Sequence, residues 1–398
     1  MSLSPLPLSY CTNVHPGRQL AEVLSGLRQY TYALQRAAGG PLAAGLWLAA
    51  PVISELRTSD GVTRLRETLA GGNLTCHTLN AFPYGDFHSR RVKEQVYLPD
   101  WTDAHRQQYT LDCARVLGAL LPDGVEGSIS TVPLGFKSLP RTASFFADCQ
   151  ERLLRTAQGL DRICRETGRL IRLAIEPEPL CVLETTSETI GFFEGLFAEA
   201  GRQGLEDLAR RHLGVCYDVC HQAVEFEPVG ESIAALHGAG IRLNKIHISS
   251  AIELRDPRHN TEGRAALARY VEERYLHQTT AHLPGGKVLR QLDLTQELAL
   301  EPPVEFLAAD CWRIHFHVPV NAANLGPLHT TRSELGPALE AVSRLPYAPH
   351  LEVETYTWEV LPEGAAPGIE RTTDWLVAGL SRELTGTREL LAAVGRGD

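Results

Sequence analysis

The sequence predicts a closed parallel α/β barrel of eight strands, and three observations carry that expectation. Short apolar runs alternate with longer amphipathic ones along most of the 398 residues. Several short runs end in a residue able to do chemistry: Ile175 leads into Glu176, Tyr217 into Asp218, Ile246 into His247 and Val353 into Glu354. No GxGxxG nucleotide loop and no Walker A sequence follows any of them. Repeated strand–helix alternation implies a parallel sheet covered by helices. Barrels of this kind place reactive groups at the C-terminal ends of many strands, whereas an open doubly wound sheet gathers its ligand at a switch point. Polar ends on several strands therefore favour closure.

The strand candidates are Leu8–Asn13, Ala44–Ala49, Leu74–Asn80, Gly127–Val132, Ile171–Glu176, Leu213–Asp218, Leu243–Ser249, Trp312–Val318 and His350–Thr355. Helical patterns lie between most of them, as in Leu20–Arg36, Asp103–Leu121, Phe145–Thr167, Thr186–Glu199 and Ser333–Arg344. This is one strand more than an eight-stranded barrel takes. The economical solution removes Trp312–Val318 from the wall and makes it part of a long excursion between strands seven and eight. That insertion is expected over about 251–310, with a helix at Glu262–Leu276 and a turn at Pro284–Lys287. Long loops at the catalytic face often act as lids. A helical extension is expected over about 368–398. There is no internal repeat, low-complexity tract or interdomain linker, so the expectation is a single domain over 1–398.

Composition narrows the function classes. Hydrophobic residues make up 43% and charged residues 22%, ordinary for a globular protein. No run approaches the ~20 apolar residues of a membrane span, and Met1–Tyr10 lacks signal-peptide character, so the expectation is cytoplasmic. Nine scattered cysteines form no disulfide framework and read as small buried hydrophobes. A net charge of −10 disfavours a nucleic-acid partner, because phosphate contacts need basic groups, and favours a small substrate.

Five elements carry the chemistry. In Ile175-Glu176-Pro177-Glu178-Pro179, two carboxylates two apart on an extended segment share a side, so Glu176 and Glu178 are rivals for one role. In Cys216-Tyr217-Asp218-Val219-Cys220-His221, Asp218 and His221 can aim at one cation; oxygen and imidazole donors suit Mn²⁺, Zn²⁺, Fe²⁺ or Co²⁺. Lys245-Ile246-His247 puts an imidazole at the next strand end, and His315-Phe316-His317 puts two on one side of an extended segment. In Leu351-Glu352-Val353-Glu354, both carboxylates would face the barrel interior, where only a cation relieves the cost of burying them. Glu176, Asp218, His247 and Glu354 are the expected core of a divalent-metal site, with Glu352 a rival for Glu354.

That order of ligands resembles the xylose-isomerase-like TIM-barrel superfamily, which includes sugar isomerases, ketose 3-epimerases and endonuclease-IV-type nucleases. The resemblance runs from about Leu8 to Tyr356. It implies that Glu176, Asp218, His247 and Glu354 bind one metal, and that His221 is a substrate or second-metal ligand. His315 and His317 fall where relatives carry an acid-containing pair; here they lack the acidic partner. With His221 and His77, they are candidates for a second ion, His77 by likeness to an early-strand histidine of the nucleases. Ser249-Ser250-Ala251, Tyr275-Leu276-His277-Gln278 and Leu351–Trp358 further resemble the EboE-type metabolite traffic proteins, which are linked to the handling of a metabolite precursor.

The implied activity is isomerisation or epimerisation of a sugar, sugar phosphate or other small hydroxy-carbonyl compound by proton transfer through an enediolate. Glu176 and Glu354 would be the acid–base pair. His221 and Glu178 would bind substrate, and Arg255, Arg258 and His277 in the excursion could take a distal anionic group. Two alternatives stand beside it: a non-catalytic metabolite carrier, and a metal-dependent phosphodiesterase. The resemblance also makes a homodimer an open expectation; no motif fixes the substrate or the metal.

Overall fold

The structure, a computed structural model, describes residues 3–362 and 372–395. Seven parallel strands lead into the mouth in order: β1 (Ser9–Cys11), β2 (Ala43–Trp47), β3 (Thr78–Asn80), β4 (Gly127–Thr131), β5 (Ile171–Ile175), β6 (Leu213–Asp218) and β7 (Leu243–Ile248). An excursion then supplies β8 (Ile252–Arg255), β9 (Thr279–His282), β10 (Val288–Gln291), β11 (Cys311–Ile314), β12 (Asn324–Leu325) and β13 (Leu328–Thr330). The chain returns as β14 (His350–Val353), which pairs with β7 on one side and β1 on the other and closes an eight-stranded barrel.

The ninth strand candidate lies outside the wall, as the strand count required. It is β11, paired antiparallel to β8 and β9 in a second, six-stranded sheet. That sheet runs on to Thr330, so the excursion is longer than expected; its last strands are only two and three residues long, too short to show a period. The expected helix Glu262–Leu276 is also corrected. The α-helix is Thr261–Leu267, followed by a 3₁₀ turn at Ala268–Tyr270. Beyond it the Glu272 carboxylate accepts the backbone N–H groups of Arg274 and Tyr275, which turns the chain instead of extending the helix.

The helices follow their local signals. Phe145–Thr167 has its expected bounds and ends on Gly168 at φ 70°, a left-handed cap that glycine adopts without strain. Leu20–Arg36 is interrupted by a π turn at Leu27–Thr31, where the Thr31 hydroxyl meets Tyr10 Oη at 2.5 Å between this helix and β1. The C-terminal helix is Thr373–Val394; the rest of the expected 368–398 extension lies outside the described residues. No helix among the described residues is long and apolar enough to cross a membrane. The nine cysteines are free thiols.

The barrel interior is unusually polar. Ser128 and Ser130 face inward on β4 while Ile129 packs outward against the helices. Lys245 Nζ lies 2.6 Å from Glu352 Oε1, and both side chains are fully buried. Ser9 Oγ donates to Glu352 Oε2 at 2.7 Å. The Glu352 carboxylate fills the space a Cβ on Gly45 would need, so β2 carries glycine at that point.

Candidate metal centre

Four strand ends deliver the site. Glu176 follows β5, Asp218 closes β6, His247 lies near the end of β7 and Glu354 follows β14. One ligand atom from each lies within 4.8 Å of all the others, and all four residues are buried. His247 Nδ1 is the hub: Glu176 Oε1 is at 2.9 Å, Glu354 Oε2 at 3.0 Å and Asp218 Oδ2 at 3.4 Å.

Each member is oriented by a neighbour. Asp218 caps the short helix Val219–Val224: its Oδ1 accepts His221 N–H at 3.0 Å and the Ser249 hydroxyl at 2.6 Å. That leaves Oδ2 unpartnered and facing the cluster. Glu354 Oε1 accepts from both Asn13 Nδ2 and Asn80 Nδ2 at 2.8 Å, leaving Oε2 for His247. On the far side of the imidazole, Glu352 Oε1 stands 3.3 Å from Nε2. A carboxylate behind a ligating histidine fixes its ring and raises its basicity.

The electrostatics follow from burial against neighbours. Burial opposes ionisation of Asp218, but the His221, His317 and His247 imidazoles outweigh it and hold its carboxyl well below the usual range. Burial opposes a charge on His247 too, yet Cys216, Glu176 and Glu354 raise its pKa well above the ordinary value. Glu354 is lowered against burial by His247 and His317.

A second layer of imidazoles lies beside the first. His221 Nδ1 donates to Pro177 O at 3.0 Å, and His317 Nδ1 to Glu354 O at 2.9 Å. Their Nε2 atoms are 3.4 Å apart, and Asp218 Oδ2 is 3.9 Å from one and 4.0 Å from the other. His315 Nδ1 donates to Gln278 Oε1 at 2.8 Å, which leaves its Nε2 buried without a partner. Glu178 turns away from the four-residue cluster: Tyr97 Oη donates to its Oε1 at 2.6 Å and Gln278 Nε2 at 3.1 Å. Burial pushes the Glu178 carboxyl up to about 7. Above both layers opens a cavity bordered by Glu176, Glu178, His221, His315 and Glu354 at its base.

No protein-family model matches the sequence, and no curated protein does. Solved structures do. An L-ribulose 3-epimerase aligns over 98% of this chain and 95% of its own, with a TM-score of 0.52 and 14% identity. A xylose isomerase-like TIM-barrel protein from Mycobacterium smegmatis, in complex with magnesium, aligns over 99% of both chains with a TM-score of 0.51 and 12% identity. The chain has the xylose-isomerase-like TIM-barrel fold.

Within this xylose-isomerase-like barrel the expected residues separate into those gathered at the mouth and those held elsewhere. The members of the two rival pairs occupy different places. Glu176 and Glu354 lie in the cluster, whereas Glu178 belongs to the Tyr97–Gln278 side and Glu352 to the Lys245 layer beneath. His221, His315 and His317 gather beside Asp218 and Glu178. His77 does not join them. It packs on His350 at the N-terminal end of the barrel, with ring centroids 4.8 Å apart. Arg255 is exposed and paired with Glu253, and Arg258 is exposed. His277 is fully buried with both ring nitrogens engaged, Nδ1 by His315 O and Nε2 by Glu272 Oε1. None of these three borders the cavity.

Several contributors carried no readable signal: Asn13 and Asn80 from early strand ends, and Tyr97 and Gln278 from loops. Lys245 is different. It is a lysine two residues before His247 on β7, so it shares the inward face and needs an inward acid. That spacing points to Glu352.

Proposed function

We propose that the chain is a divalent-metal-dependent isomerase or epimerase of a small hydroxy-carbonyl compound, with Glu176, Asp218, His247 and Glu354 as metal ligands. The observation that carries this reading is the convergence of the four ligand atoms while Glu176 Oε2 and Asp218 Oδ2 are buried without hydrogen-bond partners. Three buried carboxylates in one cluster are costly without a cation among them. The residues fit such an ion: their oxygen and imidazole donors suit Mn²⁺, Zn²⁺, Fe²⁺ or Co²⁺. A similarly folded protein described in complex with magnesium adds support.

When bound, the ion would supply Lewis acidity toward two adjacent substrate oxygens. The protein's own part is positioning and proton transfer. Glu352 holds the His247 ring, Ser249 holds Asp218, and Asn13 with Asn80 hold Glu354. Glu176 and Glu354 come from different strands and both border the cavity, so they flank a bound carbon. One removes the proton beside the carbonyl and the other, or the same one, returns it. Return on the opposite face epimerises; return to the adjacent carbon isomerises. His221, its Nδ1 fixed on Pro177 O, presents Nε2 to a substrate hydroxyl, and with Asp218 and His317 forms the candidate second-ion group.

The test is Glu354→Gln. Elemental analysis of the purified variant should show metal content well below that of the parent, and wash-in of deuterium from D₂O into a substrate ketose should vanish. Unchanged metal stoichiometry would refute the ligand assignment. Full metal content in the parent with no wash-in into any hydroxy-carbonyl compound would point to a metabolite carrier instead.

A further inference from the structure

The cavity over the candidate metal centre has a base and walls of opposite character. Its base is acidic and polar, as described. Its walls are apolar: Phe82, Phe87, Val92, Val96, Leu276 and Tyr356. Phe87 and Tyr356 also pack with Tyr275 in a three-ring wall, with centroid separations of 4.8, 5.3 and 5.0 Å. Rings locked against one another present a fixed apolar surface.

Among the described residues, no lysine or arginine on the cavity border is free to meet a phosphate. Lys93 is the one basic side chain on its border, excluding histidines. Its ammonium has three donors. They go to Asp293 Oδ2 at 2.6 Å, Tyr275 O at 2.6 Å and Glu272 O at 3.1 Å. The border instead carries three carboxylates, from Glu176, Glu178 and Glu354. A distal phosphate would meet carboxyl groups and hydrocarbon rather than a free lysine or arginine, and Arg255 and Arg258 are not there to receive it.

We infer that the substrate is an unphosphorylated compound with two adjacent oxygens, a hydroxy-ketone or vicinal diol, carrying an apolar arm of aryl or branched-alkyl type. The oxygens face the carboxylate–histidine base and the arm lies against Phe87, Leu276 and Tyr356. This rests on the metal reading for the oxygens but not for the arm. Five of the six wall residues come from loops that hold none of the four candidate ligands; Tyr356 follows Glu354 by two residues.

The test is calorimetric titration of the manganese-supplemented protein with three related ketones: hydroxyacetone, 2-hydroxy-1-phenylethanone, in which phenyl replaces the methyl group, and dihydroxyacetone phosphate. The phenyl ketone should bind at least tenfold more tightly than either of the others. Tenfold is about 1.4 kcal/mol, less than burial of a phenyl ring ordinarily provides. Leu276→Ser should erase that preference. Val96→Ser, at a half-buried position, serves if the first variant does not fold. Equal or tighter binding of the phosphate overturns the inference, as does a phenyl ketone that gives no heat at millimolar concentration. Elemental analysis of the same samples separates the two claims. Protein that holds manganese but prefers the phosphate sinks the apolar arm alone. Protein that holds none yet prefers the phenyl ketone sinks the metal reading alone.

Discussion

Replacing Glu352 with glutamine removes one charge from an ion pair that has no exposed surface. Lys245 Nζ and Glu352 Oε1 are 2.6 Å apart and both side chains are fully buried. In the variant the ammonium keeps only neutral acceptors: the glutamine amide oxygen, Ser130 Oγ at 3.3 Å and Leu79 O at 3.5 Å. Breaking a buried pair by removing one partner costs about 3–5 kcal/mol, because the remaining charge is stranded. Unfolding entropy of about 2.1 cal/mol/K per residue converts that, over a chain of this length, into a Tm lower by about 4–6 °C. Glu352 also stands behind the His247 ring, 3.3 Å from Nε2, so metal affinity should fall by about 10–100-fold. Thermal unfolding and competitive metal titration measure the two effects. Lys245→Met with Glu352→Leu separates them: stability should return, since well-packed apolar replacements of a buried pair are often neutral, while metal affinity should not. A Glu352→Gln protein with the parent's Tm and the parent's metal affinity would refute both the cost of the pair and the positioning role.

Two further outcomes follow from buried carboxylates. Gly45→Ala places a methyl group where the Glu352 carboxylate lies, so it should destabilise by about 1–3 kcal/mol and weaken metal binding, although β2 supplies no ligand; denaturant unfolding and metal titration read both. Glu383 on the C-terminal helix is pushed up to about 7 because burial outweighs its bonds from Thr355, Val320 N–H and Trp358 Nε1. Its folded pKa is therefore above the unfolded value of about 4.3. The folded state keeps the proton longer, so this contribution is full at low pH and falls by about 3–4 kcal/mol as pH rises from about 4.3 to 7. Urea unfolding at pH 5 and pH 8 should show a steeper loss in the parent than in Glu383→Gln, and identical slopes would rule the effect out.

The four strand ends were legible because each signal is local. A carboxylate or imidazole closing an apolar run is visible in a few residues, and the parallel fold then carries it to one mouth. What alternation could not do was choose between carboxylates on the same face. Glu352 and Glu354 both point inward, and only the register of β14 on β7 puts Glu352 opposite His247 and one layer below the cluster. The excursion was legible as an insertion but not as a sheet, since its strands are short and pair with partners distant in sequence. Arg255 and His277 were credited with ligand contacts from their type and position. Arg255 pairs with Glu253 two residues before it, and His277 with Glu272 five residues before it and with the distant His315 carbonyl.

The division of labour between barrel and excursion explains why the chemistry of the mouth is easier to read than its specificity. The wall supplies Glu176, Asp218, His247 and Glu354. The excursion supplies the second layer: β9 is preceded by Gln278, which holds Glu178 and His315, and β11 runs into His315 and His317. The same excursion supplies Tyr275 and Leu276 to the cavity and is fastened to the opposite loop through Lys93, with Val92 N–H and Lys93 N–H both donating to Arg274 O. These two loops are thus tied to each other, the segment after β14 adds Tyr356, and the four clustered residues sit at strand ends set by barrel register. Such a mouth can exchange its walls without disturbing the charged cluster, which is how one barrel comes to serve unrelated substrates. In this chain the walls that were kept are aromatic and aliphatic, and the lysine that could have met a phosphate is spent on holding them together.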